Sequence, residues 1–381
     1  MSKSLQDLVL TQRDRIDIKD CYIQTGIDDI LQTMDDELVA LEDVKKRVKE
    51  ISSVLLFDRI REIQELPRLN SSLHMAFTGR PGTGKNAVAA KLALVLRNLG
   101  YLTKGHIVNV TREDLVGQYV GHTAPKTKEQ LQLAEGGILF LDEAHHLYKP
   151  DNERDYGSEA VELLLQVMEN QRDDLILIFA GAKKKIDGFF NSNPGVSSRI
   201  GNHVDFKDYG IEDLTEITKF LLHNDNRYKF TDGSLDILVF YIEQLLKFDT
   251  FSNVRTIKIL LNQLLSYQAI RVEETLSQSG KIDYDSLVTI KEEDFAYFTG
   301  DDFINIIGSE EVELFGGGSR VSRGGLSRGG NNQTMERRNE VESESTHSRG
   351  YGRNSSRDSY CSDSTPSSSS GVSYGNRRKL Y

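Results

Sequence analysis

The segment Gly79-Arg80-Pro81-Gly82-Thr83-Gly84-Lys85-Asn86 constrains what this 381-residue chain can fold into more than any other. It follows a short apolar run, LHMAFTG, and opens a helical pattern, AVAAKLALVL. A strand, a glycine-rich turn, a lysine and a helix in that order make a P-loop. The glycines let backbone N–H groups curl around phosphate oxygens, and Lys85 supplies a point charge to the outer phosphates. Gly79, Pro81, Gly82, Thr83, Gly84 and Lys85 are therefore candidates for binding a nucleoside triphosphate. The residue after the lysine departs from the pattern. A Ser or Thr hydroxyl there ligates Mg²⁺, and this chain has Asn86. An amide oxygen is a longer ligand, so nucleotide binding is expected to survive while hydrolysis is weakened.

A second pattern lies about 60 residues on. Ile138, Leu139, Phe140 and Leu141 lead into Asp142 and Glu143. Two acids at the end of an apolar strand, downstream of a P-loop, form a Walker B pattern. Asp142 is the candidate Mg²⁺ ligand beside Asn86, and Glu143 the group that orients and polarises an attacking water. His145 and His146 follow. Neighbouring side chains on a helix point about 100° apart and no Cys or third His is near, so packing beside the site is expected rather than a metal centre. Three further residues stay open on the residues alone. Tyr119 and Val120 sit between Gly117 and Gly121, in either a gripping loop or a surface turn. Arg199, in SSRI, is either a surface residue or a finger for a neighbour's phosphate. Arg255 begins an amphipathic helix.

The runs LHMAFTG, GHIVNV, ILFLDE and LILIFAGA are rich in Ile, Val, Leu and Phe and are separated by helical patterns. Buried parallel strands with crossover helices look like this, which makes the fold class α/β. A helical pattern from Ile27 to about Leu66 precedes them. After Asp208 come three helical stretches without proline, and in the last of them Ile257, Leu260, Leu261, Leu264 and Leu265 form one face. The expected organisation is an N-terminal arm over 1–25, loosely held, an α/β domain over 26–208, an all-helical domain over 209–300, and a linker and tail over 301–381. Residues 315–381 hold 16 Ser and 11 Gly and carry a net charge of +5, against −16 for the rest. Such a tail cannot bury enough apolar surface to offset its chain entropy and is expected to be disordered. The acidic body argues against nucleic-acid binding except through the tail, whose two SRGG units resemble RNA-binding segments. Two cysteines, Cys21 and Cys361, make no disulfide framework. No apolar run suits a membrane span, and the N-terminus has neither a secretory nor a transit-peptide pattern.

The stretches VTREDLVGQYVGHTAPKTKEQL, GGILFLDEAHHLYKPDNERDYGSEAVELLLQVMENQRDDL and SNPGVSSRI resemble the CbbX (CfxQ) family of AAA+ ATPases, the red-type Rubisco activases. The resemblance covers about residues 30–300. It implies an αβα P-loop NTPase domain with a small helical lid, assembled as a ring, usually hexameric, that uses ATP and Mg²⁺. Lys85, Asp142 and Glu143 would act in cis, while Arg199 resembles an arginine finger and Arg255 a lid sensor arginine. Tyr119, with Val120, is similar to a pore loop that grips a substrate peptide. Family members pull on the Rubisco large subunit to release inhibitory sugar phosphates, some stimulated by ribulose-1,5-bisphosphate. They work in the chloroplast stroma of red-lineage plastids or in bacterial cytoplasm. The departures are Asn86, Ala182 near the sensor-1 position, EAHHLY for EAYYLY, Lys258 for a lid arginine, and the run Lys183, Lys184 and Lys185, expected to be a solvated face. Two readings follow: an ATP-driven remodeller, or a nucleotide-binding regulatory subunit of a mixed ring with weak hydrolysis of its own.

Overall fold

Alternation along the strands organises the molecule. The computed structural model describes residues 5–11, 16–67, 72–148, 156–170, 174–223, 228–298, 302 and 306. Five strands, β1 (Met75–Thr78), β2 (Ile107–Val110), β3 (Ile138–Leu141), β4 (Ile176–Gly181) and β5 (Asn202–Asp205), make one parallel sheet in the order β2-β3-β4-β1-β5. Successive side chains point to opposite faces. Met75, Phe77, Ile138, Phe140, Ile176 and Ile178 enter one core, and Ala76, Leu139, Leu141, Leu177 and Phe179 the other. Both faces are covered, which is why the central strands read as unbroken apolar runs. Strand β5 did not, because at the sheet's edge only Val204 of its four residues is buried.

The first core is closed by α1 (Leu5–Thr11), α2 (Ile18–Thr25), α3 (Ile27–Glu37), α4 (Glu42–Ile63) and α5 (Lys85–Asn98). The second is closed by α6 (Arg112–Leu115), α7 (Thr123–Ala134), a 3₁₀ turn over Ala144–Leu147, α8 (Gly157–Asn170), α9 (Lys183–Ser192) and α10 (Pro194–Ser197). Two expectations are corrected here. The described part of 1–25 is not a loose arm: Val9 and Cys21 are wholly buried in the first core, and Asn98 donates to the Thr25 carbonyl at 2.9 Å. Its helices are so short that a few apolar residues suffice to dock them, too few to stand out in a polar segment. The helical pattern from Ile27 to Leu66 is also two helices rather than one. The helical path is broken at Ala40 and Leu41, both left-handed with φ of 61° and 63°.

The remaining elements are α11 (Ile211–Leu221), β6 (Lys229–Phe230), α12 (Asp232–Leu245), α13 (Val254–Ser279), α14 (Tyr284–Val288), β7 (Thr289–Ile290) and α15 (Glu292–Phe295). They pack around Leu238, Ile242, Ile257, Leu260 and Leu264, all wholly buried. The region is not all-helical, since β6 and β7 pair in parallel over two residues. Beside that pair the Arg271 guanidinium donates to both Asp294 carboxylate oxygens, at 2.5 and 3.3 Å, and to the Thr289 carbonyl at 2.9 Å. Among the described residues no helix is long and apolar enough to cross a membrane. Cys21 is a buried free thiol, and Cys361 and the tail from 315 lie outside the described residues.

Candidate active site

The loop between β1 and α5 is shaped by close approaches. Gly79 has φ 154°, and a Cβ there would lie 2.5 Å from the Phe206 carbonyl oxygen. Gly82, at φ 75°, would put a Cβ 2.0 Å from the Ser252 carbonyl oxygen, so the helical domain rests directly on the loop. Gly84 precedes α5 at φ 90°. Thr83 is wholly buried and its hydroxyl donates to the Arg80 carbonyl at 2.8 Å. Lys85 is the first residue of α5 and is buried, its Nζ donating to the carbonyls of Gly79 at 2.9 Å and Arg80 at 2.7 Å. Burial pushes its pKa down, and the negative charges of Asp142 and Glu143 oppose that shift. A cation and a helix N-terminus thus converge on a glycine-lined hollow, a fitting cradle for phosphate.

Asp142 and Glu143 follow β3. Asp142 is fixed by its N–H bonding to the Val110 carbonyl at 2.9 Å, and its Oδ1 accepts the Glu143 N–H at 3.1 Å. Glu143 holds a left-handed backbone, φ 49° and ψ 45°, which is unusual for a residue with a Cβ. Its Oε2 lies 3.3 Å from His145 Nδ1. His145 and His146 sit on the 3₁₀ turn, and their side-chain torsions bring the rings together, centroids 4.1 Å apart, instead of splaying them.

The hollow opens into a cavity of about 650 Å³. One end is charged, lined by Lys85, Asn86, Asp142, Glu143, Arg255 and Lys258. The other is apolar, formed by Leu38 and Val39 from the α3–α4 break and by Ile217, Leu221 and Ile259 from α11 and α13. The arrangement fits an anionic tail and a flat apolar head, as in a nucleotide. Its carboxylate and amide oxygens also suit a hard divalent cation. The junction is tied at several points. The Val254 N–H donates to the Gly82 carbonyl at 3.2 Å, and the Tyr209 hydroxyl to the Thr83 carbonyl at 3.2 Å. Asn253, wholly buried with φ 49°, accepts the Tyr209 N–H at 3.2 Å and donates to Asp208 at 2.9 Å.

The structure therefore brings together Gly79, Pro81, Gly82, Thr83, Gly84, Lys85, Asn86, Asp142, Glu143 and Arg255. Sequence reasoning did not find Leu38, Val39, Tyr209 or Asn253. The strain at Ala40, Leu41 and Asn253 that shapes the pocket leaves no pattern in the residue types. Arg199 is elsewhere, its guanidinium paired with Glu169 and donating to the Gly195 carbonyl at 2.6 Å. Tyr119 and Val120 project into solvent, 67% and 78% exposed, the Tyr119 ring edge-on to His122. Ala182 caps α9 without a polar side chain, and Lys183 pairs with Asp205 at 2.7 Å.

Comparisons with known proteins bear on the family and the domain order. Residues 75–207 match the AAA family, described as the ATPase family associated with various cellular activities, and residues 210–302 match an AAA lid domain. The chain is 50% identical over 280 residues to the CfxQ homolog of Cyanidium caldarium, covering 74% of this chain and 97% of that protein. It is 49% identical over 286 residues to a chloroplastic ribulose bisphosphate carboxylase/oxygenase activase of Cyanidioschyzon merolae, covering 75% and 97%. The CbbX protein of Cereibacter sphaeroides is 48% identical over 279 residues, covering 73% and 89%.

Proposed function

The chain belongs to the CbbX/CfxQ family of AAA ATPases, and from that premise we propose that it is an ATP-driven remodeller of Rubisco. It pulls on the large subunit and so releases inhibitory sugar phosphates from closed active sites. The observation that carries this reading is the buried Lys85 ammonium, held on the P-loop carbonyls and facing Asp142 and Glu143 across a cavity that the helical lid closes.

Each residue then has a task. Lys85 and the backbone N–H groups of the loop bind the phosphates, and Leu38, Val39 and Ile259 enclose the base. Asp142 and Asn86 are placed to hold Mg²⁺, which when bound neutralises charge on the phosphate oxygens. The Glu143 carboxylate orients water and accepts its proton. Arg255 meets the phosphates from the lid. Arg199 lies away from its own subunit's cavity, which suits a finger directed at a neighbour's nucleotide in a ring, a hexamer in this reading. There it must first leave Glu169. Tyr119 and Val120, both exposed, grip the client peptide. Ribulose-1,5-bisphosphate is the proposed effector. The compartment is the chloroplast stroma or, alternatively, bacterial cytoplasm.

A specific observation favours a second reading. Asn86 lines the charged end of the cavity where a hydroxyl is expected, so the chain serves as a nucleotide-binding regulatory subunit that lends Arg199 to an active partner. ATP hydrolysis by the purified chain and by Asn86→Thr separates the two. A rise of tenfold or more in the variant corresponds to at least about 1.4 kcal/mol of restored transition-state stabilisation and supports the regulatory reading. Robust hydrolysis by the unmodified chain overturns it. Reactivation of inhibited Rubisco with ATP, with and without a CbbX partner chain, tests the client: no release in either case overturns the remodeller.

A further inference from the structure

Beside the nucleotide cavity stand two histidines that the proposed hydrolysis does not use, next to Glu143, which lines the cavity. Among the described residues, Glu143, His145 and His146 form a cluster whose ligand atoms, one carboxylate oxygen and two ring nitrogens, all lie within 4.8 Å of one another. The His145 side chain is only 12% exposed; neither ring nitrogen makes a hydrogen bond, and only Nδ1 has a carboxylate nearby, Glu143 Oε2 at 3.3 Å. A buried polar group without a partner is costly, and the exceptions in a folded protein call for a ligand or a task. The 3₁₀ turn keeps the three together: the His146 N–H donates to the Glu143 carbonyl at 2.9 Å, and Arg112 Nη1 donates to the His146 carbonyl at 2.7 Å.

We propose that Glu143, His145 and His146 bind a borderline-soft divalent cation, Zn²⁺ in the first instance, and that occupancy withdraws Glu143 from hydrolysis. Zn²⁺ takes imidazole nitrogens and carboxylate oxygens in tetrahedral sites with bonds of about 2.0–2.2 Å, and commonly keeps water as a fourth ligand beside three from the protein. Ligation requires neutral imidazole. Mg²⁺ prefers oxygen ligands, so the two cations do not compete for one donor set: Asp142 and Asn86 serve Mg²⁺, the histidines the softer ion. Lys185 places positive charge near His145, which keeps the site weaker than a structural zinc centre and makes it reversible. A carboxylate oxygen bound to the cation cannot accept the proton of water. The inhibitory consequence rests on the role assigned to Glu143 above, whereas the metal site does not.

The test is titration of the full chain with Co²⁺, read by its visible d–d absorption, followed by displacement with Zn²⁺. One equivalent per chain is expected, with an intense tetrahedral band. Affinity falls at least tenfold in His146→Ala, whose side chain is exposed and whose loss leaves the core intact, and likewise in Glu143→Gln. Lys85→Ala retains the band. Binding of a fluorescent ADP to the two metal-site variants shows that their nucleotide cavity is folded. No saturable band, or a band unchanged in both variants, overturns the proposal. A band lost in His146→Ala but kept in Glu143→Gln overturns the withdrawal of Glu143. A chain that hydrolyses no ATP counts against the function proposed above and leaves the cobalt result standing.

Discussion

The P-loop and the loop of residues 117–123 are both glycine-bearing turns, yet they are built in opposite ways. In the first, Lys85 and Thr83 are buried, and the closest approach at both Gly79 and Gly82 is to a backbone carbonyl oxygen. In the second, Tyr119 and Val120 stand in solvent, and a Cβ at Gly121 would meet nothing within 4 Å. In the function proposed above, the difference separates groups that bind a nucleotide in the chain's own cavity from groups that work on a client outside it. An enclosed ligand demands geometry fixed in advance. A loop that grips a peptide, as proposed for this one, needs exposed apolar side chains, which folding alone does not explain.

The largest effect is expected where the geometry is fixed most tightly. Lys85→Ala removes a charge-assisted contact to phosphate, each such bond being worth about 1.5–3 kcal/mol. Nucleotide affinity should fall by ~10- to ~150-fold, measured with a fluorescent ADP analogue, and hydrolysis should fall at least as far. Because the Gly79 and Arg80 carbonyls lose their donor, the melting temperature should be measured alongside. Affinity within twofold of the parent would show that the backbone alone holds the phosphates, and the contrast between the two loops would collapse.

At the exposed loop the expectation inverts. Tyr119→Ala should leave nucleotide affinity, melting temperature and basal hydrolysis within about twofold, since an exposed side chain contributes little to folding. Rubisco reactivation should be lost. Retained reactivation would mean that this loop grips nothing, and the proposed pore residue would have to be sought elsewhere. A large drop in melting temperature would instead reveal that Tyr119 packs.

How much of this was legible follows the same division. The three central strands, the edge strand β2, the helices of the lid and the glycine–lysine loop could be read because each obeys a short-range rule: apolar runs for strands of a covered sheet, a 3.6-residue period, glycines before a lysine. The fifth strand escaped because NHVD carries a single apolar residue, Val204, whereas β2 at the opposite edge keeps Ile107, Val108 and Val110. The helices α1 and α2 escaped because Val9 and Cys21 dock on a core supplied by distant residues. Leu38, Val39, Tyr209 and Asn253 reach the cavity through left-handed backbone and cross-domain hydrogen bonds, which are properties of the assembled chain. Arg199 and Tyr119 were nameable only through a family resemblance, since nothing in their own subunit uses them in that role.

The turn after β3 offers the smallest effect and the sharpest test of how tightly the enclosed side is held. Burial first, then the positive charges of His146 and Lys185, lower the His145 pKa from its ordinary 6.5 to about 4. The folded pKa lies below the unfolded one, so between these values the unfolded chain binds a proton that the folded chain refuses. The stabilising contribution is complete above about pH 6.5 and declines as pH falls toward about 4. The carboxylates Asp114 and Asp205, whose pKa values are lowered from 3.8, give way only at more acid pH. Melting temperatures recorded from about pH 7 to about pH 5 should therefore fall for the parent and fall less steeply for His145→Phe, which keeps an aromatic ring in place but cannot be protonated. Parallel slopes would mean that His145 is hydrated in solution, and the packing of this turn against the enclosed site would be looser than its 12% exposure implies.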